Sequence, residues 1–365
     1  MSAVKDKKTG KWEVFLRYTD YQGNNIKKHK RGFSTKKEAL EWEREFLNKI
    51  EFNVSMTFKS LSELYLEDLK HRLKENTLET KKFILKHKIL PFFEKLTLEK
   101  ITPITIREWQ NKLLKTINPK TNEKYTQTYI KTINNQLVAI FNYAVKYHNL
   151  KENPCHKAGS IGKKNAEEMQ IWSVEEFEKF LIPLSHKPVQ YTGFNILFWT
   201  GVRIGELLAL TVNDIDLENK KININKSYQR IKGRDVITPP KTPKSKRIID
   251  ISDDLADIIK EYLSKLYEPT KNTRLFECTK FRFEHDIKNY SLKAGVKKIR
   301  VHDLRHSHAS FLFNKGIDPL TISLRLGHEK IETTLNIYTH LYKERNTNLI
   351  NILNSRCGGK MVAKN

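Results

Sequence analysis

The chain has 365 residues, 67 lysines and arginines against 42 acids, and a formal net charge of +25. That length holds two or three domains, each with its own core, and that charge selects a polyanionic partner over an acidic one. Its three cysteines, Cys155, Cys278 and Cys357, lie far apart with no C-x-x-C pair, so neither a disulfide framework nor a zinc site is implied. No apolar run approaches the ~18 residues of a membrane span, and the charged start M-S-A-V-K-D-K-K leads into no signal-peptide core. A reducing cytoplasm is the expected compartment, with no membrane partner.

The first 52 residues read as a three-stranded sheet plus a helix. In K-W-E-V-F-L-R-Y-T, Trp12, Val14, Leu16 and Tyr18 alternate with mostly polar residues, the period of a strand with one buried face. A turn over 20–24 with Gly23 and a second strand from Asn25 to Arg31 follow. Thr35 and Glu38 then make a capping-box pattern ahead of A-L-E-W-E-R-E-F-L. Up to Lys37 there are eleven lysines and arginines against three acids. A basic sheet of this size fits a major groove, with Lys27, Lys28 and Arg31 as candidate DNA contacts, although a solvated basic face has nearly the same pattern.

Residues 56–155 read as all-helical. Apolar residues recur at helical spacing in F-K-S-L-S-E-L-Y-L-E-D-L, K-K-F-I-L-K-H-K-I-L and I-N-N-Q-L-V-A-I-F-N-Y-A-V, with Pro91, Pro103 and Pro119 at the breaks. From 53 to 165 there are 21 lysines and arginines against 10 acids. A bundle of four or five helices with a basic outer face suits a duplex gripped through its phosphates. Phe92, Phe93, Trp109 and Phe141 are expected in its core rather than stacked on bases. Residues 156–170, with glycines, a serine and few large apolar groups, read as a linker whose Lys163 and Lys164 lie along the DNA backbone. From 171 to 365 the pattern mixes helix and strand. Ser173 and Glu176 cap the first helix, Arg203 is on a helix, and the strands are K-I-N-I-N-K-S-Y, V-I-T-P-P and R-I-I-D-I. P-P-K-T-P-K-S-K-R falls on a hairpin turn, and the remainder is mainly helical.

The same last region carries an ordered set: Arg203, His302, Arg305, His328 and Tyr338. Attack on a phosphodiester spreads charge over the non-bridging oxygens, and preorganised cations stabilise that transition state more than the ground state. Arginine's fork stays charged and grips two oxygens at once, so Arg203 and Arg305 form a candidate clamp. His302 and Arg305, three apart, share one face of a helix. A tyrosine hydroxyl with a reference pKa near ~10 needs a cationic site or a proton acceptor before it attacks, and His302 and His328 are candidates for that help. The departing oxygen needs an acid, and Lys241, Lys244 and Lys246 are at hand. Each residue alone has a blander reading as solvated charge or core aromatic. H-D-L-R-H also has the outline of the H-E-x-x-H zinc helix, but Asp replaces the glutamate base and Arg305 would set a cation beside the metal. His306 and His308 read as structural.

Four segments carry a resemblance: T-G-V-R-I-G-E-L-L-A-L, P-K-T-P-K-S-K-R-I-I, H-D-L-R-H-S-H-A-S and L-G-H-E-K-I-E-T-T-L-N-I-Y-T-H. Over about 170–345 the chain resembles the tyrosine recombinases, specifically integrases of phage and conjugative transposons, and more loosely over its N-terminal half. The resemblance implies a multidomain α+β fold, with an arm-type DNA-binding domain at 1–52, a core-type DNA-binding domain at 56–155 and a mixed, mainly α catalytic domain at 171–365. It makes Arg203 and Arg305 the clamp, Lys241 the general acid by its P-K-T match, His302 and His328 the proton-handling pair, Glu206 a support, and Tyr338 the nucleophile. It implies a 3′-phosphotyrosyl intermediate, no metal or other cofactor, and integration and excision of a mobile element or prophage. The implied partners are duplex attachment sites, a homotetramer on DNA whose tails beyond 345 pack on neighbours, a small excision-directing protein and a host DNA-bending protein, all at the bacterial nucleoid. A type IB topoisomerase and a non-catalytic DNA-binding regulator are the competing readings.

Overall fold

The computed structural model describes residues 3–7, 9–19, 25–52, 56–119, 121–164, 170–240, 243–332 and 334–335. The expected turn at 20–24, Lys241, Tyr338 and the tail lie outside the described residues. The chain divides into two compact units, Met1–Glu167 and Glu168–Asn365.

The first unit begins with β1 (Ala3–Lys5), β2 (Trp12–Thr19) and β3 (Asn25–Phe33), an antiparallel sheet in that order, and α1 (Lys36–Phe52). Alternation on β2 works as expected: Val14 and Leu16 are buried with Ala3, Phe33 and Ala39. The Thr35 hydroxyl accepts from the Glu38 N–H at 3.1 Å, and the Glu38 carboxylate accepts from Ser34 N–H at 3.0 Å, which starts α1. Register sorts the candidate DNA contacts. Arg17 pairs with Lys27, Phe15 with His29 and Glu13 with Arg31, so these side chains share the face opposite Val14 and Leu16. Lys28 lies opposite Leu16 on the helix side, its Nζ 6.0 Å from the Phe46 ring, and is thereby separated from Lys27 and Arg31.

A second core follows in the same unit, made by α2 (Phe58–Lys70), α3 (Glu75–Ile84), α4 (Leu90–Phe93), α5 (Pro103–Lys115), α6 (Gln127–Tyr147) and α7 (Pro154–Ala158). Phe93, Trp109 and Phe141 are fully buried, and Phe92 packs against them, which answers the question of base stacking in favour of core. Three details depart from the sequence reading. Pro91 does not end a helix; a π-helical turn over Leu85–Ile89 passes directly into α4 and absorbs the missing N–H. The segment is not entirely helical, because Ile117–Asn118 (β4) pairs with Glu123–Lys124 (β5) around a turn in which Asn122 takes φ 55°. The linker's first part is not a linker: Cys155 and Ala158 of α7 join the core, and the Gly159 carbonyl accepts from Gln110 Nε2 at 2.8 Å. A Cβ at Gly162 would sit 2.4 Å from the Gln127 carbonyl oxygen, so its glycine reflects close packing rather than linker flexibility. Lys163 and Lys164 are exposed.

The second unit comprises α8 (Val174–Leu181), α9 (Pro188–Thr200), α10 (Ile204–Leu207), β6 (Ile215–Asp216), β7 (Lys221–Ile224), β8 (Ser227–Ile231), β9 (Arg234–Thr238), β10 (Arg247–Asp250), α11 (Asp253–Ser264), α12 (Lys280–Lys293), α13 (Asp303–Asn314) and α14 (Pro319–Leu326). Ser173 and Glu176 make the expected reciprocal cap on α8, at 3.2 and 2.9 Å. Helix α9 is apolar nearly all round and buried along most of its length, the signature of a central core helix. Its Phe198 stacks on Phe177 with centroids 3.9 Å apart. The strands split into two sheets, β10-β7-β6 and β8-β9. The expected run K-I-N-I-N-K-S-Y is therefore two strands, broken at Asn225 and Lys226, where Lys226 Nζ pairs with the buried carboxylate of Asp214. Strands β9 and β10 belong to different sheets and do not pair with each other as a hairpin would require; residues 241–242 of the expected turn lie outside the described residues. No helix among the described residues is long and apolar enough to cross a membrane.

Candidate active site

Two helix ends build the site. Helix α9 stops at Gly201 (φ 67°) and α14 at Gly327 (φ 68°), both left-handed caps. At both positions the positive φ strains any side chain, and space is short: a Cβ at Gly201 would lie 2.6 Å from Leu326 Cδ2 and 2.8 Å from His308 Cδ2, and one at Gly327 3.1 Å from Arg247 Nη1. The carbonyls freed at these ends carry the negative pole of each helix, and guanidinium groups are drawn to them. Arg305, 3% exposed on α13, donates Nη1 to the Gly201 carbonyl at 2.8 Å and Nη2 to the Leu326 carbonyl at 2.7 Å. Arg325 donates to the Trp199 and Asp250 carbonyls at 3.3 and 3.1 Å and, through Nε, to His308 Nε2 at 3.2 Å.

Arg203 follows Gly201 by two residues and is the N-cap of α10 rather than a residue within a helix. Glu206 holds it from below: Oε2 accepts the Arg203 backbone N–H at 3.0 Å, and Oε1 accepts Nη1 at 2.8 Å. The Arg203 side chain remains 37% exposed, with Nη2 3.5 Å from the Gly327 carbonyl. Arg247, the first residue of β10, completes the arrangement. Its side chain is 7% exposed and donates Nη2 to Glu206 Oε2 at 2.9 Å, Nε to the Arg325 carbonyl at 2.7 Å and Nη1 to the Ser245 carbonyl at 3.0 Å. Burial pushes the Glu206 carboxyl up, but Arg247 and Arg203 outweigh it and hold Glu206 below the usual carboxylate range.

His302 is the N-cap of α13. Arg300 grips Asp303 through Nη2 and Nε at 2.7 and 3.0 Å and so ties down the turn that bears His302. Burial, then the charge of Arg305, pushes the His302 imidazole below its ordinary value. His306 stands edge-on to it at 5.1 Å and is depressed to about 4, chiefly by burial. His328 follows Gly327, its Nδ1 2.8 Å from the hydroxyl of buried Thr334. Burial, then Arg305 and Arg203, depress it to about 3. His302 and His328 are therefore neutral near pH 7, able to accept or donate one hydrogen bond at each ring nitrogen.

The structure thus brings Arg203, His302, Arg305 and His328 together, with Glu206 beneath. Lys244 and Lys246 are exposed, and Lys244 Nζ reaches the Glu329 carbonyl at 3.3 Å, beside His328. Lys241 and Tyr338 lie outside the described residues. Sequence reasoning missed Arg247, Arg325 and Asp303. Arg247 was in view within P-K-S-K-R-I-I, and nothing local separates an arginine that turns inward from the lysines around it. Among the described residues no cluster of metal-ligating side chains occurs.

Fixed guanidiniums beside neutral imidazoles, on a helix-rich scaffold with small sheets, define a protein equipped for transfer at a phosphate. Residues 173–345 match the phage integrase family, 57–114 the phage integrase N-terminal SAM-like domain, and 2–50 an arm DNA-binding domain. The chain is 32% identical over 331 residues to the ICEBs1 integrase of Bacillus subtilis, covering 86% of this chain and 88% of that one. It is 29% identical to a XerC-like tyrosine recombinase of Caldanaerobacter subterraneus, over 92% and 93% of the two chains. Among solved structures, the Tn1549 transposon integrase in complex with transposon right end DNA superposes with a TM-score of 0.63 at 22% identity, over 80% of this chain and 99% of that one. A lambda integrase tetramer bound to a Holliday junction gives 0.60 at 16%, over 92% and 91%. The chain belongs to the phage integrase family, the tyrosine recombinases. It is an enzyme of DNA cleavage and strand transfer, as its motifs led one to expect, and these relatives favour recombination over the topoisomerase and regulator readings.

Proposed function

We propose that Tyr338 is the nucleophile, that Arg203 and Arg305 clamp the scissile phosphate, that His302 and His328 hydrogen-bond it and handle protons, and that Lys241 protonates the departing 5′-oxygen. The observation that carries this reading is the fixing of Arg305 by two helix-end carbonyls with Arg203, His302 and His328 around it. Donors held in place before substrate arrives cost no reorganisation as charge develops on the phosphate oxygens. Attack by Tyr338, whose hydroxyl proton passes to His302 or His328, forms the phosphorus–oxygen bond to the tyrosine and breaks the bond to the 5′-oxygen, which leaves with a proton from Lys241. Bond energy stays in the phosphotyrosine, and a 5′-hydroxyl from a second duplex reverses the step.

In this reading residues 1–52 bind arm-type sites through the sheet face bearing Arg17, Lys27 and Arg31, residues 56–155 bind core-type sites, and Lys163 and Lys164 follow the backbone. Lys28, on the helix side of the sheet, is the weakest of these contacts. The working species is a homotetramer on duplex attachment sites at the nucleoid, with direction set by a small excision-directing protein and with a host DNA-bending protein as a further partner. Support for the DNA-bound tetramer comes from the lambda integrase assembly, and for arm binding from the match over 2–50.

The test is a nicked suicide duplex cut from the element end that flanks the gene. Wild type accumulates a covalent adduct in EDTA, and Tyr338→Phe yields none. An adduct from Tyr338→Phe means the nucleophile is another residue.

A further inference from the structure

We propose that Arg247 is a positioning residue for the phosphate clamp: it shares the Glu206 carboxylate with Arg203, so that the carboxylate aligns Arg203 without neutralising it. This rests on the role given to Arg203 above. A lone Arg203–Glu206 pair would be an ion pair of zero net charge, a poor partner for a phosphate. In the structure the single carboxylate serves two guanidiniums. Glu206 Oε2 takes both the Arg203 backbone N–H and Arg247 Nη2, and Oε1 takes Arg203 Nη1. Two cations to one anion leave the group net positive. Because Glu206 is 3% exposed and the Arg247 side chain 7%, water does little to screen this charge.

The two arginines that share Glu206 differ in how much of the fork is left open. Arg247 spends its fork inward on Glu206, the Ser245 carbonyl and the Arg325 carbonyl at the end of α14, the helix end that also receives Arg305. Arg203 keeps more than a third of its side chain open. Arg247 thus locks the Glu206 carboxylate against α14, and the carboxylate in turn sets the Arg203 fork. Arg247 also opens β10 immediately after the lysine-bearing segment, so a rival role through the general acid has to be separated by experiment.

The experiment measures single-turnover adduct formation by the full chain at saturating enzyme on the suicide duplex. Arg247→Met is expected to slow cleavage about 10- to 100-fold, the range typical when support behind a contacting group is removed. Affinity for the duplex is expected to change less than about threefold, since phosphate contacts spread over the whole chain dominate it. In a Glu206→Gln background, where no carboxylate remains to be shared, the same substitution is expected to cost less than about threefold. Equal losses in both backgrounds overturn the proposal. A duplex with sulfur as the bridging 5′-atom leaves without an acid; if it restores Arg247→Met, the residue acts through the lysine segment and the proposal fails. Arg247→Lys, which keeps the charge and shortens the fork, is expected to lose less than Arg247→Met and carries the same comparisons if the methionine variant melts. No adduct from wild type itself overturns the reading of the site on which this rests.

Discussion

Cations in the two units illustrate two ways of placing positive charge. In the first, Lys27, Lys163 and Lys164 are exposed, and Arg31 pairs with Glu13 at 3.2 Å while keeping 73% of its side chain open. In the second, Arg305 and Arg247 are buried, and their N–H groups meet carbonyl oxygens or a carboxylate. Exposed lysines act through long-range attraction that salt screens, which suits holding a duplex along its length. A buried guanidinium is useful only where acceptors fix it, and once fixed it presents its charge in one direction to one phosphate. Total charge is therefore no guide to which cations are fixed in place; the acceptors around each one are.

The largest test of this contrast is Arg305→Lys. Lysine keeps the charge but cannot span the Gly201 and Leu326 carbonyls, and cleavage is expected to fall about 100- to 1,000-fold with duplex affinity little changed. Gel-shift titration beside single-turnover rates decides it; a loss of affinity that accounts for the whole loss of rate would make Arg305 another holding cation.

Acid sensitivity comes next. Folded His306, His308 and His328 are depressed to about 4, 3 and 3, against an ordinary value near ~6.5 in the unfolded chain. Between those values the unfolded chain binds protons that the fold refuses, so stability is complete above pH ~6.5 and declines as pH falls toward ~3. Urea melts of the full chain at pH 7.5 and pH 5 are expected to show the decline, and His306→Gln to reduce its slope. A melt unchanged between the two pH values would mean the imidazoles are not buried neutral.

The smallest effect is expected at Lys27→Ala on the open face of the sheet: a few-fold weaker duplex binding and a salt slope lower by about one. No change in slope would mean that this face does not meet phosphates, and a change in cleavage rate at saturating enzyme would break the contrast from the other side.

Much of the site was legible because its chemistry needs rare side chains at fixed spacings. His302 and Arg305 sit three apart at the start of one helix, whereas the helix ends at Gly201 and Gly327 emerged only in the structure. The periodicities of α2, α6 and β2 foretold their buried faces for the same local reason. What stayed hidden depends on partners distant along the chain. Arg247 meets Glu206, 41 residues away, and Arg325, 78 residues away; Lys226 finds Asp214 by leaving the expected strand; and β9 and β10, read as the two sides of a hairpin, belong to different sheets.

By itself the sequence determined the class of chemistry, the polyanionic partner and the main helices and strands, because side-chain chemistry and short-period burial are local properties. Only the tertiary structure decided which cations are fixed and which are free. An arginine's alignment depends on carbonyls and carboxylates that other elements bring to it, and the helix ends that supply them converge only when α9, α13 and α14 pack.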